Sequence, residues 1–454
     1  MAAESQCLDQ ERTFARDELF FSTTDRKGFI QASNDVFVRI SGYAAEELSG
    51  RAHNIIRHPD MPRVVFKLLW DHLAAGKGIA AYVKNRAKDG SFYWVLAAVR
   101  PIPGGHLSVR LKPATPWFAL IPGVYAELRE VEERVEREGG SRSDAMEASA
   151  ARLDEVLAAN GIDGYDAFMG QAFVDEVMAR RAHVASGGSI ASRHRLGGTG
   201  ESLERLARVF DEELARVHRY VALNDDLASS CTKLVSLAGQ CSVLAFNAEL
   251  AGGRLGRDGQ ALKAVADLLQ EVCPRIVDEA VELRDRIEEA RTQLRAVGFS
   301  VSLASLQNDM VRSFLVEAVR TDAPDVGDHA ELLFRGLRGD AESVESTLDV
   351  LARRLGSVEQ FAALLMDRLD LLSAIERNGR IEAVRTSGAE AFTTLLSEVR
   401  TQVAAAVSEG DEIMRLLSSC QLRERRQQRS AVLDALALID AATLAHREPV
   451  AGRS

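Results

Sequence analysis

The pattern of apolar and polar positions changes character along the chain. Between residues 19 and 112, apolar residues fall in short runs such as LFFSTTD, FIQAS, GIAAYVKN, SFYWVLAAVRPI and HLSVRLKP. These runs alternate or are rich in β-branched and aromatic residues, and Gly-containing turns (DRKG, AKDG) separate them, so they predict strands. DVFVRISGY and PRVVFKLLWDHLAAG have helical spacing instead. The order, two strands, helices, three strands, predicts an α+β domain with an antiparallel sheet covered by short helices. Residues 1–18 would form an N-terminal cap. Residues 113–185 read as a polar helical connector broken at GIDGY, and SGGSIASRHRLGGTG at 186–200 reads as a linker.

From 201 to 448 the pattern predicts an all-α region of long helices packed as hairpins. A heptad series runs Leu203, Leu206, Phe210, Glu213, Val217, Tyr220, Asn224, Leu227, Cys231, Leu234, Ala238, Cys241, Ala245. A second runs Val344, Leu348, Leu351, Leu355, Val358, Ala362, Leu365, Leu369, Leu372 and is apolar throughout. The fold class expected is thus an α+β domain followed by a helical-hairpin or four-helix bundle, with hairpins at 201–320 and 326–446.

The net charge of −11 argues against general nucleic-acid binding, which needs a basic face. The longest apolar candidate, AVLDALALIDAATLAH at 431–446, is interrupted by Asp434 and Asp440, so no membrane span is expected. The N-terminus lacks a signal-peptide pattern, which with unpaired cysteines predicts a cytoplasmic location. No nucleotide-loop, zinc-protease or nucleophile-elbow motif occurs, so no enzyme is expected. The basic run LRERRQQR at 422–429 reads as a solvated helix face.

The chemically densest stretch is HNIIRHPDMP at 53–62. Two readings of it stand side by side. Asp60 suits an N-cap for the helix that follows, with Pro62 in its first turn. Arg57, His58 and Asp60 equally suit a pocket for a charged cofactor.

STTD at 22–25, ASNDVFVRISGY at 32–43, HNIIRHPDMP and VKNRAKDGSFYWV at 83–95 together resemble the PAS domain of bacterial aerotaxis receptors. That resemblance implies a sensor domain that binds FAD, with Arg57, His58 and Asp60 as cofactor contacts. Asn34 and Asn85 could pair with the flavin's polar edge, and Phe66 and Trp70 could supply an apolar wall. Haem is the competing cofactor, with His53, His58, His72 and His106 as candidate ligands. LOV-type photochemistry lacks its cysteine, since only Cys7 lies on this side of the chain.

Residues 240–269, QCSVLAFNAELAGGRLGRDGQALKAVADLL, are similar to the signalling tip of methyl-accepting chemotaxis receptors. Asn247, Arg254 and Gly256 match it, while Ala251 and the Gly252–Gly253 step depart from it. NGRIEAVRTSGAEAFTTLLSEVR at 378–400 repeats the theme through Asn378, Glu382 and Arg385. The resemblance implies a chemotaxis histidine kinase and its coupling protein as partners. It also implies a monomeric pseudo-dimer or a homodimer. The function expected is a redox or oxygen sensor for aerotaxis or chemotaxis; the alternatives are a PAS scaffold protein and a haem-based gas sensor.

Overall fold

A computed structural model describes residues 7–188, 197–254, 259–321 and 326–419, with single positions at 434, 437, 438 and 440. Residues 1–6 of the cap, most of the 186–200 linker, Gly256, the 422–429 run and nearly all of the second hairpin beyond 419 lie outside the described residues. The described residues fall into two compact units, within Met1–Leu214, Gly298–Glu345 and Ala431–Ser454, and within Ala215–Val297 and Ser346–Ser430.

The first unit is built on a five-stranded antiparallel sheet in the order β2-β1-β5-β4-β3. The strands are β1 (Phe20–Asp25), β2 (Ile30–Ser33), β3 (Ile79–Arg86), β4 (Phe92–Ile102) and β5 (Gly105–Leu111). Between β2 and β3 run α1 (Asp35–Ser41), α2 (Ala45–Leu48), a 3₁₀ turn (His53–Ile56) and α3 (Arg63–Ala74). Asn34 starts α1 by accepting from the Phe37 amide, and Gly42 ends it at φ +72°.

Successive residues of a strand point to opposite faces. Val83, Asn85, Ala97, Val99, Ser108 and Arg110 therefore share one face, with the short helices over it. Tyr82, Trp94, Leu107 and Val109 share the other. That second face meets α4 (Pro116–Arg137) and α6 (Gly164–His183), which α5 (Arg142–Ala159) separates in sequence. The Phe118 ring lies 5.8 Å from Tyr82 and 5.3 Å from Trp94. The unpaired edge of β3 is closed by side chains: Tyr125 and Tyr165 hydroxyls donate to the Tyr82 and Ala80 carbonyls at 2.8 and 3.1 Å.

Two buried carboxylates tie the connector to the sheet domain. Glu176 of α6 accepts from the Tyr82 hydroxyl (2.9 Å), the Ala114 and Thr115 amides and the Thr115 hydroxyl. Glu132 of α4 accepts from the Val64 amide at 3.1 Å, placing a carboxylate at the N-terminus of α3. The expected cap for that helix was Asp60. The observed N-cap residue is Pro62, which has no side-chain acceptor, and Asp60 instead pairs with Lys84 at 2.6 Å.

The long helices are α7 (Gly197–Arg254), α8 (Gln260–Thr321), α9 (Val326–Arg385) and α10 (Glu390–Ser419). Every residue of the first heptad series is buried, including Glu213 and Asn224. In the second series only Leu348 is half-buried. Contrary to the expectation of no span, α7 is long and apolar enough to cross a membrane by length and composition. Its heptad positions are buried, while Val243, Phe246 and Leu250 on the same helix are exposed. The 431–446 run that looked longest lies outside the described residues except at its four single positions.

Within the first unit, α8 and α9 also reach the second face of the sheet. Phe21 of β1 packs edge-on against Phe314 at 5.7 Å. Arg100 of β4 donates to the Gly336 carbonyl (2.8 Å) and Gln307 (3.3 Å) and forms an ion pair with Asp340. Burial pushes the Asp340 carboxyl up to about 7, against the pull of Arg100.

Two outcomes follow from these buried acids. Glu176→Ala strands two amides and two hydroxyls and should cost roughly 3 kcal/mol, read as a lower urea midpoint by tryptophan fluorescence. Asp340 binds its proton more tightly folded than unfolded, so its contribution to stability is full below about pH 4 and fades as the pH rises through about 7. Asp340→Asn should flatten that part of the stability–pH curve, measured by thermal midpoints between pH 4 and 8.

Candidate functional site

The first face of the sheet, the 3₁₀ turn and α3 enclose a cavity of about 300 Å³. Phe66, Leu69, Trp70 and Leu73 of α3 wall one side, and Val83, Ala97 and Val99 the sheet side. Trp70 is 44% exposed, so it stands at the rim, edge-on to His106 at 5.6 Å. Gly28, at φ +83°, lets the chain pass beneath that ring; a Cβ there would come 3.2 Å from the indole.

Four buried polar atoms lining this cavity have no hydrogen-bond partner among the described residues: Asn85 Nδ2, His106 Nδ1, Ser108 Oγ and Arg110 Nη1. Buried polar groups are normally satisfied, so four such atoms on one cavity single it out as the candidate site. Arg110 is the most unusual of them. It is 3% exposed, and among the described residues no carboxylate pairs with it. Its Nη2 donates to Ser22 Oγ (3.0 Å) and to His53 Nε2 (2.5 Å), and its guanidinium lies 5.1 Å from the Phe37 ring. Burial and the Arg110 charge lower the His53 pKa to about 3, so the imidazole is neutral and offers Nε2 as a lone pair. Burial lowers Arg110 to about 10, which leaves it a cation at neutral pH.

The site residues expected from sequence part company here. Arg57, Phe66, Trp70 and Asn85 line the cavity. Arg57 stacks on Phe66 at 4.1 Å and donates to the Met61 carbonyl at 3.1 Å. His58, Asp60 and Asn34 do not line it. The Arg57 backbone bridges Asn85 of β3 in antiparallel fashion, so the next residue points away from the cavity. His58 Nδ1 instead accepts from the Asp60 amide at 3.2 Å, and its ring meets Phe92. Burial lowers the His58 pKa, with Asp60 opposing. Asn34 Oδ1 accepts from the Phe21 and Phe37 amides, and its Nδ2 donates to the Leu19 carbonyl. Of the histidines considered for haem, His53 and His106 line the cavity, while His72 is bound to Asp166 at 2.8 Å. Sequence reading missed Ser108 and Arg110. Their signal was alternation: His106, Ser108 and Arg110 fall on one side of β5, and Leu107, Val109 and Leu111 on the other.

In the second unit, the tip residues lie near two helix ends. Asn247 lies on α7, whose last described residue is Arg254, and Asn378 precedes the end of α9 at Arg385 by seven residues. Asn247, Arg254, Asn378 and Arg385 are exposed; Glu382 is half-buried and pairs with Arg385 at 3.2 Å. A Cβ at Gly379 would strike Val265 at 2.7 Å, and one at Gly252 would touch Phe392 at 3.5 Å, so both glycines sit where helices approach closely. Val243, Phe246, Ile381 and Val384 are exposed on the same helices.

Residues 30–109 match the PAS fold family. The sheet domain is therefore a PAS domain, followed by long helices. It is homologous to the aerotaxis receptor of Escherichia coli (strain K12), 36% identical over 133 residues, 28% of this chain and 26% of that receptor. The biofilm dispersion protein BdlA of Pseudomonas aeruginosa is 21% identical over 278 residues, 60% of this chain and 56% of that protein. The chain thus spans about a quarter of the first relative and about half of the second.

Asn34→Ala should lower stability by about 2 kcal/mol, through a lost cap and an orphaned Phe21 amide. A urea titration matching the parent would overturn this structural assignment of Asn34.

Proposed function

We propose that this chain is a cytoplasmic redox or oxygen sensor serving aerotaxis or chemotaxis, with FAD held in the PAS cavity. The observation that carries this reading is the convergence of four unpartnered polar atoms on one cavity with apolar walls. They fit the isoalloxazine system, a flat apolar ring with donors and acceptors along one edge. Asn85 and Ser108 would meet that edge as donor and acceptor together. Phe66, Leu69 and Leu73 would cover the ring, and Arg57 and exposed Lys27 would meet the pyrophosphate. When bound, FAD supplies reversible electron uptake, so its charge reports the redox state of its donors. The similarity to the aerotaxis receptor supports the same reading. His58 and Asp60 would then act by shaping the 53–62 segment and fixing where Arg57 lies.

Output would run through the second face of the sheet. Arg100, Phe21 and their partners on α8 and α9 would feel any change in strand geometry. Those helices lead toward the residues around Asn247 and Asn378. There the exposed Phe246 and Val384 would contact a chemotaxis histidine kinase or its coupling protein. No catalytic step is part of this proposal.

Haem is a second reading, and one observation favours it: His106 presents an unpartnered Nδ1 in the cavity. His53 is less suited, because Arg110 occupies its Nε2.

An absorbance spectrum of the purified protein, before and after reduction, separates these readings. A bleachable yellow flavin spectrum is expected; a Soret band would move the assignment to haem. Arg57→Ala should stay folded by circular dichroism and lose at least about tenfold in FAD affinity, about 1.4 kcal/mol. Full retention of flavin by that variant would remove Arg57 from the site.

A further inference from the structure

A buried cation without an acid is costly, so its surroundings show what it is kept for. Arg110 is such a group. Nη2 is spent on Ser22 and on neutral His53, and the Phe37 and Phe20 rings lie 5.1 and 5.7 Å from the guanidinium. Nη1 is left without a partner, at the cavity wall. Neutral His53 matters here. A protonated imidazole would repel the guanidinium, and a carboxylate in its place would neutralise it. The arrangement orients the cation and leaves its charge unspent.

We propose that Arg110 is the residue that sets the redox potential of the bound flavin, by holding the negative charge that reduction leaves on the ring's polar edge. This rests on the flavin reading above. Two electrons enter the ring with one proton rather than two, either as a hydride from a reduced nicotinamide, which leaves oxidised, or from a reduced quinone, which becomes a quinone and releases its second proton to water. The proton goes to the ring nitrogen remote from Arg110. The negative charge stays on the nitrogen–carbonyl edge that Nη1 faces. Charge near that edge is a principal means by which a protein tunes a flavin. The cation stabilises the charged reduced form more than the neutral oxidised one, so it raises the potential.

The test uses the full chain reconstituted with FAD and a redox titration from pH 5.5 to 8. The wild type should show a midpoint slope of about 30 mV per pH unit, the value for one proton per two electrons. A slope of about 60 mV, two protons, would overturn the proposal without touching the flavin reading. Arg110→Gln keeps donors but removes the charge. It should bind the reduced form at least tenfold less tightly relative to the oxidised form, a fall of about 30 mV or more. Arg110→Lys should recover most of it. An Arg110→Gln protein holding flavin at the wild-type potential would also overturn the proposal. If Arg110→Gln fails to fold, the wild-type slope still decides. A wild-type protein that takes up no flavin on reconstitution overturns the flavin reading itself, and this assignment with it.

Discussion

Much of this molecule depends on the pleat of one antiparallel sheet. Because adjacent residues face opposite ways, β5 sends Ser108 and Arg110 into the cavity and Leu107 and Val109 to the other side. β4 does the same, with Ala97 and Val99 toward the cavity and Arg100 toward Asp340 on α9. The cavity on one face and a helix on the other are thus separated by a single backbone. No long chain of side chains is needed to connect them.

The buried charges divide into two kinds. Glu132 and Glu176 are surrounded by donors and act as fasteners, one at the start of α3 and one at the junction of β5 and α4. Asp340 has a cationic partner but keeps one oxygen without a donor. Arg110 has no acidic partner among the described residues. The order in which these groups are satisfied runs from connector to sheet–helix contact to cavity. The least satisfied group lies where a ligand would come.

The helical region follows a different rule. Its heptad stripe accounts for burial so completely that Glu213 and Asn224, polar at core positions, are buried with their apolar neighbours. Near the ends of α7 and α9 the pattern yields to close packing. Gly379 is placed where a larger residue would collide with Val265, and Gly388 at φ +79° turns the chain between α9 and α10.

The local signals legible in the sequence were those set by period and by single residues. The five strands, the helical connector and the buried faces of the long helices all follow from alternation or heptad spacing. So do the aromatic wall residues Phe66 and Trp70, four apart on one helix. Tertiary structure decided which polar residues of HNIIRHPDMP face the cavity, because the bridge between Arg57 and Asn85 sets the direction of one side chain and reverses the next. It also decided that Asn34 serves α1 and that α3 takes its cap from Glu132, 68 residues away. Arg110 is the clearest case. An arginine in a strand reads as a solvated residue, and only the closing of His53, Ser22 and Phe37 around it turns it into a buried, unneutralised cation. Periodicity is a property of neighbours in sequence, whereas burial and charge pairing are properties of neighbours in space.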